Sequence, residues 1–502
     1  MKLFKKIAGF ILAFAMILAI AMPSVVMAEG NGSIGNGSIT ITGAKPDHTF
    51  EAYQIFAGDL SEDGKSLSNI TWGSDVTEAG KTRFGDAQDK ARSLEGNRPA
   101  AVTFANEVSN YLATPSGTSV VDGKNYKINT LTPGYYLVKD KDGTVPQEQA
   151  YTQFILEVVG NDVSAEVKSS FPTSEKKVKD TNDFTGRTTG WQDSADYDIG
   201  DEVPFQLTGH VATDYNEYNS AYQLVFHDTL SNGLTFNASS VKVYVNDNKD
   251  PVTADKYTIT NTPTDGHSFD VTIHDVKSLG TVVAKVRVEY TATLNKNAVI
   301  GSAGNPNTMY MEFSNNPNST QGGSKGQTPE DKVIVFTYKT VINKVNSSHQ
   351  SLTGAAFKLE KVLANGSKRT VKEYTITDSE EDRNRTSFEF TGLDDGEYIL
   401  TETETPDRYN TMHPITFSIT ASHDTDSADP KLNGLNGNLV DGQIIFTADK
   451  DEGTLTADVV NYKGSELPST GGIGTTILYV AGAVMILAAG AFLVMQKKAE
   501  DK

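Results

Sequence analysis

Between an apolar run at each end, the chain repeats one pattern. Short stretches rich in Val, Ile, Thr, Tyr and Phe alternate apolar with polar positions, and clusters of Gly, Asn and Asp punctuate them. Residues 38–42, 203–208 and 334–341 are examples, and each predicts a strand with one face buried. Helical spacing is visible over residues 99–113, which predict a short amphipathic helix in the first third. Strands recurring at turn spacing predict an all-β protein of tandem immunoglobulin-like β-sandwich domains. Breaks fall at Ser169-Ser170-Phe171-Pro172-Thr173 and after the Gly/Ser/Asn/Pro-rich residues 315–329. They divide the interior into 29–170, 171–333 and 334–464, each of ordinary domain size.

The two ends are addresses rather than domains. Lys2, Lys5 and Lys6 precede an apolar run and the small-residue ending Val26-Met27-Ala28, so residues 1–28 read as a secretory signal peptide. At the other end, residues 472–495 are apolar and long enough to span a bilayer, and Lys497 and Lys498 follow. Leu467-Pro468-Ser469-Thr470-Gly471 stands directly before that span. Pentapeptide, span and basic tail together, residues 465–502, resemble the cell-wall sorting signal of Gram-positive bacteria. The resemblance implies a sortase that cleaves between Thr470 and Gly471 and passes the Thr470 carbonyl to an amine, with the product linked to peptidoglycan.

Composition narrows the function. The 502 residues include no cysteine, which excludes disulfides, zinc–thiolate sites and a cysteine nucleophile. The formal charge is −20, and removing the six lysines and two acids of the two ends leaves −24. A chain this acidic is not built to bind nucleic acid. Eight histidines occur without a His-Glu-x-x-His or Gly-x-Ser-x-Gly motif, so no enzyme acting on an external substrate is expected, and no cofactor or metal. Asp140-Lys141-Asp142-Gly143 lacks the following glutamate of a calcium loop and reads as a hairpin turn.

Two further stretches carry a family likeness. Leu352-Thr353-Gly354-Ala355-Ala356-Phe357-Lys358-Leu359, followed by Gly396-Glu397-Tyr398-Ile399-Leu400-Thr401-Glu402-Thr403-Glu404-Thr405-Pro406, resembles the B-type domain of collagen adhesins and its E-box. Ile199-Gly200-Asp201, His227-Asp228-Thr229-Leu230 and Ser314-Asn315-Asn316-Pro317 resemble the second domain of fimbrial shaft proteins. With the sorting signal, these imply a sortase-polymerised major pilin of a cell-surface pilus, its domains closed by spontaneous Lys–Asn isopeptide bonds. The implied partners are a class C-type pilin sortase, a housekeeping sortase, identical subunits, and minor tip and base pilins. A monomeric wall-anchored adhesin with the same domains as a stalk is the alternative, although no Asp-x-Ser-x-Ser signature of an integrin-type ligand domain is present.

An isopeptide bond needs a neutral lysine amine, an asparagine amide and a carboxyl group that polarises the amide and moves protons. Burial favours all three, because it lowers a lysine pKa and raises that of an acid. Strand parity therefore tests the candidates. Lys344 is in phase with Tyr338 and Ile342, Glu402 with Tyr398 and Leu400, and Asn461 with Ala457 and Val459. Asp228 is in phase with Leu224 and Phe226, and Asn315 with Met311 and Phe313. Lys176 is in phase with Val178 and Lys177 is not, so Lys176 is the expected middle-domain lysine, with Lys177 as the alternative. The first domain has Gly43 and Lys139 where the lysine and the acid would fall, and no bond is expected there. By the resemblance, the lysine that joins subunits lies at the first junction. Lys168 is expected, with Lys177 and Lys179 open.

Overall fold

The computed structural model describes residues 36–61, 66–167 and 170–463, with residues 482, 485 and 486 in addition. Within them the chain forms three successive pairs of facing sheets. Alternation is the cause: Lys285–Leu294 buries every second side chain along its whole length, and Asn305–Ser314 does the same until its end.

In the first pair, Gly37–Thr42 lies between Asn125–Leu131 and Val163–Glu166, antiparallel to one and parallel to the other. The facing sheet is centred on Phe50–Leu60 and Gly134–Asp140. The expected helix is present as Arg98–Val108, and two others, Glu78–Phe84 and Ala87–Leu94, precede it. Each helix is capped by a side chain, from Thr77, Asp86 and Asn97 respectively. Phe104 and Val108 pack on Ile55, Phe56 and Leu137, on the side of that sheet away from its partner.

The second pair sets Thr173–Val178, Glu202–His210, Lys285–Leu294 and Leu234–Val245 against a sheet containing Asn305–Ser314, Leu224–Leu230 and Phe269–Ile273. Asp331–Phe336 pairs with Asn305–Ser314, so this strand runs through the expected boundary at 333/334. The chain crosses at Thr337, whose carbonyl accepts from Gly301 N at 3.0 Å, and enters Tyr338–Asn346 of the third pair. Residues 334–341, one strand by pattern, are therefore the end of one strand and the start of the next.

In the third pair the first and last strands, Tyr338–Asn346 and Thr454–Asn461, lie side by side and parallel. Lys344 stands opposite Val459, and Asn346 opposite Asn461. The facing sheet holds Ala356–Val362, Gly396–Glu404 and Ile415–His423. A core of Phe357, Leu359, Phe388, Phe390, Tyr398 and Phe417 fills the space between.

Candidate crosslinking sites

In the third domain the structure brings the expected three residues together. Lys344 is fully buried and donates through Nζ to Asn461 Oδ1, and also to Val459 O at 3.2 Å. Asn461 Nδ2 donates to Glu402 Oε1 at 2.9 Å, and Glu402 Oε1 is 3.6 Å from Lys344 Nζ. Glu402 reaches this point because its strand pairs with Phe357 and turns alternate side chains inward. Met412 N at 2.8 Å fixes its other oxygen. Burial brings the Lys344 ammonium down to about 8 from the ordinary 10.5, against the opposing pull of Glu402. A substantial share of this amine is thus neutral near pH 8, poised against an amide that a carboxyl group holds from the far side.

The middle domain differs from expectation in one residue. Lys176 is fully buried, its Nζ is hydrogen-bonded to Asp228 Oδ2, and it donates to the Tyr290 hydroxyl at 3.2 Å. Tyr290 in turn donates to Asp228 Oδ2 at 3.0 Å. Burial lowers the Lys176 pKa in spite of Asp228, and raises that of Asp228 in spite of Lys176. Both shifts favour the neutral pair, with the proton on the acid. Lys177 points the other way, to Asp193 at 2.6 Å, as parity requires.

Asn315 is not at this site. It lies just beyond the end of Asn305–Ser314, where alternation no longer fixes direction. Its Oδ1 accepts from Ser324 Oγ at 2.8 Å, its Nδ2 donates to Gln149 O at 3.4 Å, and its backbone carbonyl accepts from Tyr151 N at 2.7 Å. It therefore belongs to the junction between the first and middle domains. The asparagine that meets the lysine site is Asn307, fully buried, whose Nδ2 donates to the same Tyr290 hydroxyl at 2.8 Å. Asn307 Oδ1 and Asp228 Oδ1 are buried without a hydrogen-bond partner. Asn305, also buried, is excluded because its amide is fully used on Val299 and Val335. Parity could have raised Asn307, which shares the phase of Met309 and Met311. Tyr290 carried no signal beyond that of a core aromatic.

At the place of the absent first-domain lysine, Gly43 adopts φ 78° with Val167 O 2.3 Å from where a Cβ would stand. Lys139 turns out to Asp142 at 2.8 Å. Lys168 and the Leu467–Gly471 motif lie outside the described residues. Lys177 and Lys179, the alternatives for subunit joining, are engaged, Lys179 over the Trp191 ring at 4.6 Å.

Comparison with known proteins supports this architecture. Residues 339–431 match the SpaA family, described as a prealbumin-like fold domain, and residues 459–502 match the LPXTG cell wall anchor motif. The C-terminal residues thus carry an LPXTG cell wall anchor motif, and the fold is that of Gram-positive backbone pilins. It is 25% identical over 576 aligned positions to the trypsin-resistant surface T6 protein of Streptococcus pyogenes serotype M6, covering 97% of this chain and all of that one. The T6 backbone pilin structure from the same serotype superposes with a TM-score of 0.56 at 18% identity, covering 86% of this chain and all of that one. The full-length major pilin SpaD of Corynebacterium diphtheriae superposes at 0.50 and 17%, covering 86% and 98%.

Proposed function

We propose that this protein is the shaft subunit of a covalently polymerised pilus, built of three β-sandwich domains with boundaries near residues 170 and 337. A sortase joins Thr470 of one subunit to Lys168 of the next, and two intramolecular amides, Lys344–Asn461 and Lys176–Asn307, lock the third and middle domains. The observation that carries this reading is that two of the three fully buried lysines among the described residues, Lys176 and Lys344, sit where a buried acid and a buried asparagine amide converge, whereas the third, Lys361, meets only aspartates. Such lysines are costly to keep as ammonium ions and are relieved by becoming amides.

In each case the neutral Nζ attacks the asparagine Cγ, a C–N bond forms, and the Cγ–Nδ2 bond breaks. Asp228 or Glu402 carries the proton from Nζ to the departing nitrogen, which leaves as ammonia. A proton on Asp228 would also supply the donor that Asn307 Oδ1 lacks. In the third domain the bond would join the first and last strands, so that tension entering at one and leaving at the other passes through a covalent link.

Two measurements test the reading. The intact mass of the mature chain will fall short by two ammonia molecules, and a full mass would overturn the bonds. In cells with the cognate sortase, Lys168→Ala will collapse a high-mass ladder to monomer. An unchanged ladder would move the joining lysine elsewhere, and no ladder in the wild type would favour the wall-anchored adhesin.

A further inference from the structure

The outer face of the middle domain carries a cluster that the crosslinking chemistry does not use. His227 comes from Leu224–Leu230, one residue before Asp228 and therefore on the opposite face of the sheet. Asp270 stands opposite His227 on Phe269–Ile273. Asp265 and His267 come from the turn that leads into that strand, on either side of Gly266 at φ 96°.

The four side chains converge. His227 Nδ1 is 2.8 Å from Asp270 Oδ1 and 3.7 Å from Asp265 Oδ2, and His267 Nδ1 is 3.0 Å from Asp265 Oδ1 and 3.9 Å from Asp270 Oδ1. One ligand atom from each of the four lies within 4.8 Å of every other. A tetrahedral ion with bonds of about 2.0–2.1 Å sets its ligand atoms roughly 3.3 Å apart, inside the spread of these distances. The cluster is also unresolved without an ion. His267 Nδ1 is shielded from solvent and makes no hydrogen bond, although a carboxylate oxygen is 3.0 Å away. His227 is nine-tenths buried and is held by Tyr310, whose ring stacks on it at 4.7 Å. Asp265 is partly exposed, which leaves a path for entry.

We propose that His227, Asp265, His267 and Asp270 form a site for a divalent transition-metal ion of the zinc class. Two imidazole nitrogens with two carboxylates suit Zn²⁺, Co²⁺ or Ni²⁺, whereas Ca²⁺ and Mg²⁺ take oxygen ligands. With the ion on Nδ1, the single proton of the neutral His227 ring sits on Nε2, which is otherwise buried without a partner. The bound ion clips the turn at 265–267 onto the sheet.

The test is titration of chelator-treated mature chain with Zn²⁺, and with Co²⁺ as an optical probe. One ion per chain is expected, with a rise in the temperature of the middle-domain transition and visible Co²⁺ absorption of tetrahedral intensity. Excess Ca²⁺ or Mg²⁺ will not compete. His267→Ala and Asp265→Asn, both in a surface turn, will each weaken uptake at least about 100-fold. His349→Ala, exposed in the third domain, will not change it. Absence of stoichiometric uptake by the wild-type chain, or uptake that survives both turn substitutions, would overturn the site.

Discussion

Replacing Glu402 by glutamine will leave Lys344 and Asn461 side by side but unjoined, and the mass deficit of the mature chain will drop from two ammonia molecules to one. Glutamine keeps the shape and can still meet Asn461, but it cannot carry a proton from the lysine to the leaving nitrogen. The lost bond closes a loop of 117 residues. By analogy with a disulfide over such a loop, the third domain will lose about 4–5 kcal/mol, a large part of the roughly 5–15 kcal/mol that a domain has in total. Urea unfolding followed on the third-domain transition reads this loss. A full two-ammonia deficit in Glu402→Gln would remove the glutamate from the chemistry.

The same site makes a pH prediction with a definite sign. In Asn461→Ala the lysine stays a free amine, held near 8 in the folded chain and near 10.5 once unfolded. Between those values the unfolded chain binds the extra proton, so stability rises as pH rises through that window. Below about 8 the full cost of the buried ammonium is present, and the gain across the window is roughly 3 kcal/mol. Asn461→Ala combined with Lys344→Met will lack this rise. Equal slopes in the two variants would show that Lys344 is not neutralised by burial.

Why the third site was legible and the middle one only in part follows from where each residue sits on its strand. Lys344, Glu402 and Asn461 all lie within strands, where period-two alternation fixes direction. Lys176 was separable from Lys177 for the same reason. The helices Glu78–Phe84 and Ala87–Leu94 escaped because each is only about two turns long and fully buries a single small residue, Gly80 or Ala87. Ala87–Leu94 did carry a thin apolar stripe, Ala87, Ala91 and Leu94 at i, i+4 and i+7 behind the Asp86 cap, while the signal of Glu78–Phe84 was its cap, Thr77. The strand break at Thr337 was invisible to pattern, since the buried run Val333–Phe336 passes into the alternating strand Tyr338–Asn346 without a Gly, Pro, Asn or Asp to mark it. The cluster at His227 and Asp270 needs a cross-strand register that no single-strand pattern contains.

Substituting Asn307 by alanine will abolish the middle-domain bond, while Asn315→Ala will leave the two-ammonia deficit intact. Both asparagines share the apolar phase of their strand, so parity alone admits either. What separates them is the end of the strand at Ser314: Asn307 is inside it and directed between the sheets, and Asn315 is past it and spent on Gln149, Tyr151 and Ser324. Tyr290 reinforces the assignment, since one hydroxyl bonds Lys176, Asp228 and Asn307 and so gathers nucleophile, acid and amide at one point. Tyr290→Phe will therefore slow closure of this bond without touching the one at Lys344, which intact-mass measurements over time after refolding will separate. Asn315→Ala will instead loosen the contact between the first and middle domains, read as faster proteolysis around residues 147–152. A chain in which Asn315→Ala loses one ammonia equivalent and Asn307→Ala does not would return the role to Asn315, and would require the end of that strand to reach inward before the bond closes.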